Sequence, residues 1–194
     1  MFPEEWDTRS SGFPDYDAYL ESLGYDLRTI SAFDYEHAYE RPYREGLFRL
    51  SLAPGFVEVL RWTRHNGYFT TGNHEQLDWR AEYIQKHYHL DIRDYFTYRF
   101  STFDYGNTNV KTSTMLVDVL RRIVAKKFSE VVYTDDRKQN CQFFLKAVQQ
   151  ARQQGVAVPG RAYHLTTAAA STPHAITPVR DLYGVKEAEK HLRK

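Results

Sequence analysis

Short apolar runs alternate with helix-periodic segments through the middle of the chain. Val131 to Thr134 is β-branched and aromatic and too short for a helix, which predicts a buried strand. Tyr68 to Thr71 predicts a second short strand, and the alternating residues Phe96 to Phe103 predict a third. Lys111 stands before a run in which apolar residues recur every three or four positions, which predicts an amphipathic helix. Because strands and helices alternate, the sequence predicts a parallel sheet covered on both faces.

Upstream of this region, the pattern predicts a strand that ends in a carboxylate. Thr29 to Phe33 reads as a short buried strand that delivers Asp34 at its end. The polar, aromatic and proline-broken stretch from Tyr35 to Pro42 is expected to be a loop. The other expected elements are a helix capped by Asp15 and ended by Gly24, a helix from Phe56 to an Asn66-Gly67 terminator, a helix through Trp79, a helix through Phe143 closed by Gly155, strand segments between Val156 and Leu165, a linker from Thr166 to Pro178, and a last helix from Asp181 to Lys194.

Composition is that of an ordinary globular chain. The net charge of +1 does not indicate nucleic acid as the main partner, and no stretch approaches the length of a membrane span. The single cysteine, Cys141, excludes an internal disulfide, and its place in an apolar helical run favours a buried, inert thiol. The acidic segment from Met1 to Asp7 is unlike a secretory signal or a mitochondrial presequence. We therefore expect an intracellular protein that is not secreted. Its location would be the cytoplasm, or the mitochondrial matrix if a presequence has been removed from the mature chain.

Two adjacent carboxylates, Asp135 and Asp136, follow the predicted strand at Val131 to Thr134. In an open α/β sheet, ligands bind at the carboxyl ends of the strands. Neighbouring like charges are costly unless a cation or a group of donors neutralises them, and magnesium prefers carboxylate oxygens. The pair therefore predicts a magnesium site, and the alternative is a solvated turn that carries two acids.

Polar residues stand at the end of three predicted strands and at the start of one predicted helix. They are Asp34, then Thr71-Gly72-Asn73, then Lys111 at a helix start, and then Asp135-Asp136. This order resembles the four motifs of the haloacid dehalogenase (HAD) superfamily, and the closest match is to its small magnesium-dependent phosphatases. The resemblance covers residues 29–165, and its strongest pieces are residues 53–60, Ala-Pro-Gly-Phe-Val-Glu-Val-Leu, and residues 131–140.

The resemblance implies a role for each of these residues in phosphoryl transfer. Asp34 would be the nucleophile that forms an aspartyl-phosphate, and Thr71 would hold the transferred phosphoryl oxygens. Lys111 would screen the negative charge of the nucleophile and the phosphoryl group. Asp135 and Asp136 would hold Mg²⁺, together with Asp34 and the main-chain carbonyl of Glu36.

The chain departs from the family pattern just after the predicted nucleophile. Phosphatases of the superfamily carry an aspartate two residues after the nucleophile and a threonine two residues further on, where this chain has Glu36 and Ala38. Glu36 keeps a carboxylate that can act as general acid and base. Its extra methylene displaces that carboxylate, and a displacement on this scale can cost on the order of 100-fold in rate. Ala38 lacks the hydroxyl.

The expected fold class is α/β, a three-layer sandwich with a central parallel sheet of HAD type and no large cap domain. Residues 1–28 are expected to be an N-terminal extension, residues 29–165 the HAD-like domain, and residues 166–194 a linker with a helical tail. Two functions stay open. In the first, the chain is a magnesium-dependent phosphatase that acts on a phosphorylated substrate through Asp34 and Glu36. In the second, it is an inactive relative that serves as a structural or interaction subunit of a larger assembly, for which a mitochondrial assembly is one option. Its partners would then be other protein subunits, bound through a surface rich in the 15 tyrosines and through the terminal extensions.

Overall fold

The computed structural model describes residues 4–106, 108, 110–125, 128, 130–156, 158–166 and 176–192. Residues 53–64 and 111–192 form one compact unit, called unit 1, and residues 4–52 and 65–110 form another, called unit 2. The division into an extension, a domain and a tail that the sequence suggests stays a prediction.

The described residues form helices and strands that alternate along much of the chain. In chain order they are β1 (Glu4–Trp6), α1 (Thr8–Ser11), α2 (Tyr16–Ser22), α3 (Ala32–His37), α4 (Glu40–Glu45), β2 (Phe48–Leu50), α5 (Phe56–Trp62), β3 (Asn66–Thr70), α6 (His74–Tyr88), β4 (Phe96–Ser101), α7 (Ser113–Val124), β5 (Val131–Asp135), α8 (Lys138–Gln153), β6 (Gly160–Leu165), β7 (Ile176–Val179) and α9 (Leu182–Leu192), with 3₁₀ helices at Ile92–Tyr95 and Thr102–Tyr105. The predicted α/β class is confirmed. No helix within these described ranges is both long and apolar enough to cross a membrane.

Unit 1 is built on a parallel sheet of three strands in the order β5, β6, β7. The predicted strand at 131–134 is confirmed as β5, but its predicted burial is wrong, because Val132 is 37% exposed and the other three residues are only partly buried. Helix α8 is the crossover that leads from β5 to its parallel neighbour β6. The register places Asp135, the last residue of β5, opposite His164 of β6. The predicted helix after Lys111 is confirmed as α7, which begins at an N-cap, Thr112, and packs against α8. The carboxyl end of β5 and the start of α7 carry the polar residues described below.

The C-terminal helix α9 is part of unit 1. The main-chain N–H of Leu182 donates to the carbonyl of Pro54 at 3.1 Å. A Cβ atom at Gly55 would lie 2.5 Å from the main-chain nitrogen of Tyr183, and Gly55 has φ +80°. The Pro54-Gly55 sequence therefore serves two purposes, because glycine both begins α5 and lets α9 approach it closely.

The predicted linker is wrong at its C-terminal end. Residues 176–179 form β7, which pairs in parallel with β6, and both Ile176 and Val179 are buried. The burial of these two side chains outweighs the polar composition of the stretch. Pro178 is tolerated because β7 is an edge strand of this sheet. Most of the predicted linker, residues 167–175, lies outside the described residues.

Unit 2 contains two small sheets, with β1 antiparallel to β2 and β3 parallel to β4. The predicted strands at 68–71 and 96–103 are confirmed as β3 and β4. The predicted Asn66-Gly67 helix terminator is wrong, because both residues belong to β3. A Cβ atom at Gly67 would lie 2.9 Å from the Cβ of Tyr98, so glycine allows the strands to approach rather than ending a helix.

The predicted strand at 29–33 and the loop at 35–42 are also wrong. Residues 29–31 form no strand and lead into α3, and α3 and α4 cover most of residues 32–42. The Ser31 hydroxyl donates to Oδ2 of Asp34 at 2.6 Å and accepts from the Asp34 main-chain N–H at 3.0 Å. This local pairing satisfies a free N–H of the first helical turn and favours a helix start over an extended strand. Pro42 lies in the first turn of α4, where its missing N–H is not needed.

Aromatic side chains build the core of unit 2. A buried group from α2, α4 and β2 packs together, and further rings from the segment between Trp6 and Tyr83 surround it. Several of the tyrosines are therefore core residues rather than members of a binding surface. The buried members are Tyr16, Tyr19, Leu20, Tyr43, Phe48 and Leu50.

We expect Tyr19→Phe to raise the free energy of unfolding by about 1 kcal/mol. The Tyr19 hydroxyl is buried and has no hydrogen-bond partner among the described residues, so its removal relieves an unsatisfied polar group. Tyr16→Phe is the matched control, because its hydroxyl donates to the Tyr35 carbonyl at 3.1 Å and its loss should lower stability by about 1 kcal/mol. Urea denaturation measures both, and a loss of stability in Tyr19→Phe would contradict the prediction.

Candidate functional site

A buried ion pair joins the end of β5 to the residue that precedes α7. The Lys111 ammonium lies 2.8 Å from Oδ2 of Asp135, and each residue is only 8% exposed. The two residues are 24 positions apart in the sequence and meet because β5 and α7 belong to the same unit. The structure therefore brings together two of the residues that the sequence singles out.

Tyr133 completes this group, although it is not among the site residues predicted from the sequence. Its hydroxyl donates to Oδ2 of Asp135 at 2.7 Å, and the Lys111 ammonium lies 3.1 Å from the hydroxyl oxygen. The ring of Tyr133 stacks on Phe144 of α8 with 4.8 Å between ring centroids. Tyr133 and Asp135 are two residues apart on a strand and so point to the same face. That spacing is the signal that could have identified Tyr133.

The other oxygen of the Asp135 carboxylate is also fully engaged. Oδ1 accepts the main-chain N–H of Arg137 at 2.9 Å and the side-chain amide of Asn140 at 3.0 Å. Asn140 is buried in the first turns of α8. An ionised carboxylate has about four acceptor positions, and here the chain itself fills all four.

The environment keeps Asp135 ionised. Burial by itself would raise the pKa of Asp135, but the Lys111 ammonium and the hydrogen bonds outweigh burial and lower the pKa to about 2. Burial, followed by the negative charge of Asp135, raises the pKa of Tyr133 well above its ordinary value, so Tyr133 remains a donor at neutral pH. Burial likewise raises the pKa of the Cys141 thiol to about 12, which agrees with the predicted inert cysteine.

The donors around Asp135 do not fit a magnesium ion in this arrangement. Mg²⁺ needs a carboxylate lone pair at about 2.0–2.1 Å, and those of Asp135 already accept four hydrogen bonds. Asp136 is exposed, and its main-chain carbonyl lies 3.0 Å from Nε2 of His164. Across the described part of the chain, no three His, Cys, Asp or Glu side chains are grouped to hold a metal. Within unit 1, Asp135 is neutralised by an ammonium.

The other predicted site residues lie in unit 2. Asp34 is exposed in the first turn of α3 and is bonded to Ser31, rather than presented at the end of a strand. Thr71 follows β3, and its main-chain carbonyl accepts the Thr102 hydroxyl at 3.2 Å. The side chain of Glu36 lies outside the described part of the structure. That Asp34, Glu36 and Thr71 join Lys111 and Asp135 in one site stays a prediction.

Asn73, the last residue of the predicted second motif, is a helix cap. Its side chain accepts the main-chain N–H of Gln76 at 2.9 Å and begins α6. The next residue, His74, links Tyr68 and Asp104, because Nδ1 lies 3.0 Å from the Tyr68 hydroxyl and Nε2 lies 3.0 Å from Oδ1 of Asp104. Burial raises the pKa of Tyr68 to about 12, so its hydroxyl stays protonated at neutral pH. This group connects β3 and α6 to the 3₁₀ helix after β4.

Comparisons of the chain with protein-family models, with curated proteins and with solved structures find no match. The likeness to the HAD superfamily therefore rests on the sequence motifs quoted above and stays a proposal.

Proposed function

We propose that the chain is an α/β domain of HAD type, a three-layer sandwich with no large cap domain, whose carboxylate centre no longer hydrolyses phosphoesters. In this proposal it serves as a structural or binding subunit of a larger assembly. The observation that carries the proposal is the state of Asp135, whose four acceptor positions are filled by Lys111, Tyr133, Arg137 and Asn140.

Metal-assisted phosphoryl transfer makes demands that this centre does not meet. The metal must bind carboxylate oxygens, neutralise developing charge and align the attack on phosphorus. At Asp135 the neutralising charge is already supplied by Lys111 at 2.8 Å, in a group that is almost completely buried. The pair is suited to holding β5 and α7 together.

The setting of Asp34 supports the same proposal. A nucleophilic carboxylate has to be held in line with the phosphoryl group by a rigid element. Asp34 is instead exposed on a six-residue helix, and its Oδ2 accepts the hydroxyl of Ser31. That contact makes Asp34 part of a helix start, which is a structural role.

A binding role is supported by exposed apolar side chains in unit 2. Leu23, Tyr25 and Phe33 lie close in sequence and expose 44%, 39% and 48% of their surface. Tyrosine and phenylalanine are enriched at protein interfaces, where they bury a large area. The proposed partners are therefore other protein subunits.

The second candidate is a magnesium-dependent phosphatase that forms an aspartyl-phosphate on Asp34, with Glu36 as general acid. The specific observation in its favour is the position of the Lys111–Asp135 pair, at the carboxyl end of a parallel strand. This is the edge of an α/β sheet where ligands bind, and the family resemblance implies that Lys111 and Asp135 belong to one site there.

Hydrolysis of p-nitrophenyl phosphate with and without Mg²⁺ separates the two candidates. We expect the wild-type chain to release no more p-nitrophenol than Asp34→Asn under either condition. Asp94→Asn is the matched control, since Asp94 is another exposed aspartate in unit 2. Magnesium-dependent turnover that Asp34→Asn abolishes and Asp94→Asn preserves would overturn the proposal. Elution of the native protein from its source cells at the mass of a monomer would contradict the subunit role.

A further inference from the structure

We propose that the Lys111 ammonium is the resident cation of the Asp135 carboxylate, and that the Tyr133 hydroxyl holds it there in the place of a divalent metal ion. Replacing these two donors should turn the centre into a divalent-cation site. The inference rests on the proposed function, because it explains why the centre does not use a metal.

The three groups form a closed triangle. The Lys111 ammonium lies 2.8 Å from Oδ2 of Asp135 and 3.1 Å from the Tyr133 oxygen, and that hydroxyl donates to the same Oδ2 at 2.7 Å. A metal ion bound to Oδ2 at about 2 Å would occupy the space of these donors. It would also lie beside a positive charge, and like charges repel strongly in a poorly solvated site.

Tyr133 is a positioning residue in this arrangement. Its stacking on Phe144 fixes the ring, and the Lys111 nitrogen lies 5.6 Å from the ring centroid, which is within the range of a cation–π contact. Phenylalanine at this position would keep both ring contacts and lose only the hydroxyl. One acceptor position on Oδ2 would then be open, while the ammonium would remain.

The rest of the centre is compatible with a bound ion. Oδ1 of Asp135 is held by the Arg137 N–H and the Asn140 amide, and these two hydrogen bonds do not involve Oδ2. They would keep the carboxylate oriented when Oδ2 bound a metal, as hydrogen bonds to metal-ligating carboxylates do. Asp136 adds a second carboxylate next in the chain. The ligand class is a hard divalent cation that prefers oxygen, such as Mg²⁺ or Mn²⁺.

The test measures binding of Mn²⁺ and Mg²⁺ to the full chain by thermal denaturation and titration calorimetry. Wild type is expected to show no change in Tm with either ion. The Lys111→Met/Tyr133→Phe variant should gain a Mn²⁺-dependent rise in Tm of roughly 5 °C at an ion concentration of about 100 times Kd. Tyr133→Phe alone should show a smaller rise, because the competing ammonium is still present.

Two controls show whether the gained response comes from this centre. Adding Asp135→Asn to the double variant should abolish the response. The matched Lys146→Met/Tyr183→Phe protein loses an ammonium and a hydroxyl from exposed positions of unit 1 and should behave as wild type. An Asp135-dependent response already present in wild type would overturn the inference, and so would a lack of response in all variants.

Tyr133→Phe keeps the test decisive if the loss of Lys111 prevents folding, because this variant retains the ion pair. In that case a Tyr133→Phe protein as unresponsive as wild type would overturn the inference. The two proposals fail separately. Magnesium-dependent hydrolysis by wild type refutes the proposed function, whereas an inactive wild type with unresponsive variants refutes only the resident-cation inference.

Discussion

Arg161→Met is expected to lower the free energy of unfolding by about 3–5 kcal/mol, because it leaves the Glu189 carboxylate buried without its cation. The Arg161 guanidinium makes two hydrogen bonds to the Glu189 carboxylate, at 2.8 and 2.6 Å, and Glu189 is completely buried. Tyr163 donates a third hydrogen bond to Glu189 at 2.6 Å, and the Arg161 guanidinium also pairs with Glu130. This network ties α9 to β6 and to the residue that precedes β5.

Double replacement separates the loss of the pair from the loss of packing. Arg161→Met/Glu189→Gln removes both charges, and it should be more stable than Arg161→Met alone because no carboxylate remains buried without its cation. Arg152→Met, at an exposed position on α8, is the matched control and should change stability by less than about 0.5 kcal/mol. Urea unfolding of the four proteins gives the comparison. Equal stabilities of the Arg161→Met and Arg152→Met proteins would show that the network does not hold α9.

Elements with a clear local pattern could be predicted from sequence because in them the pattern and the tertiary structure favour the same element. The strand that ends at Asp135 and the helix that follows are examples, since a short β-branched run and a helical repeat each fit one structure. The helix after Lys111 is another, with buried Leu116 and Leu120 on one face. These elements predict that Lys111 and Asp135 belong to one site, and in the structure the two side chains form an ion pair.

The failures occur where a single interaction outweighs the local sequence pattern. At 29–33 the β-branched and aromatic residues favour a strand, but the hydroxyl of Ser31 pairs with Asp34 and starts a helix. At 176–179 the reverse holds, since pairing with β6 makes a strand from a segment of low periodicity. Strand pairing depends on which distant segment lies alongside, and a single sequence does not show this. A contact between residues three positions apart, such as Ser31 and Asp34, is one of several local arrangements that the same residues could form.

The site was predicted in part for the same reason. Charged residues at the ends of predicted elements can be recognised in a sequence, and Lys111 and Asp135 are predicted in this way. Tyr133 cannot be distinguished by sequence from any other aromatic residue of a strand. Its importance comes from where its hydroxyl lies, 2.7 Å from the carboxylate. Glu189 was equally hidden, because its helix was expected to be a charged tail and the structure buries that carboxylate completely.

Lys111→Met should lower the free energy of unfolding by about 3–5 kcal/mol at pH 7, and the loss should shrink as the pH falls. Methionine keeps the aliphatic length of lysine but leaves Asp135 buried and charged. In wild type the pKa of Asp135 is about 2, below its ordinary 3.8, so this carboxylate stabilises the fold above about pH 4 and loses that contribution as the pH falls through about 2. In the variant, the hydrogen bonds from Tyr133 and Arg137 still lower the pKa of Asp135, but the ammonium is gone and burial, the largest influence, raises the pKa.

The variant therefore protonates Asp135 on folding at a pH where wild type does not. Asp135 then binds a proton more tightly in the folded variant than in the unfolded chain. Each pKa unit of this difference adds about 1.4 kcal/mol to the variant's free energy of unfolding at acid pH. Urea unfolding of Lys111→Met and wild type at pH 7 and pH 4, at constant ionic strength, measures how much the difference in their free energies of unfolding decreases. Lys146→Met controls for the loss of an exposed lysine, and Lys111→Met/Asp135→Asn should recover most of the stability at both pH values because it removes both charges. A loss that is the same at pH 7 and pH 4 would mean that Lys111 stabilises the fold through packing alone, and that the charge of Asp135 is neutralised by other groups.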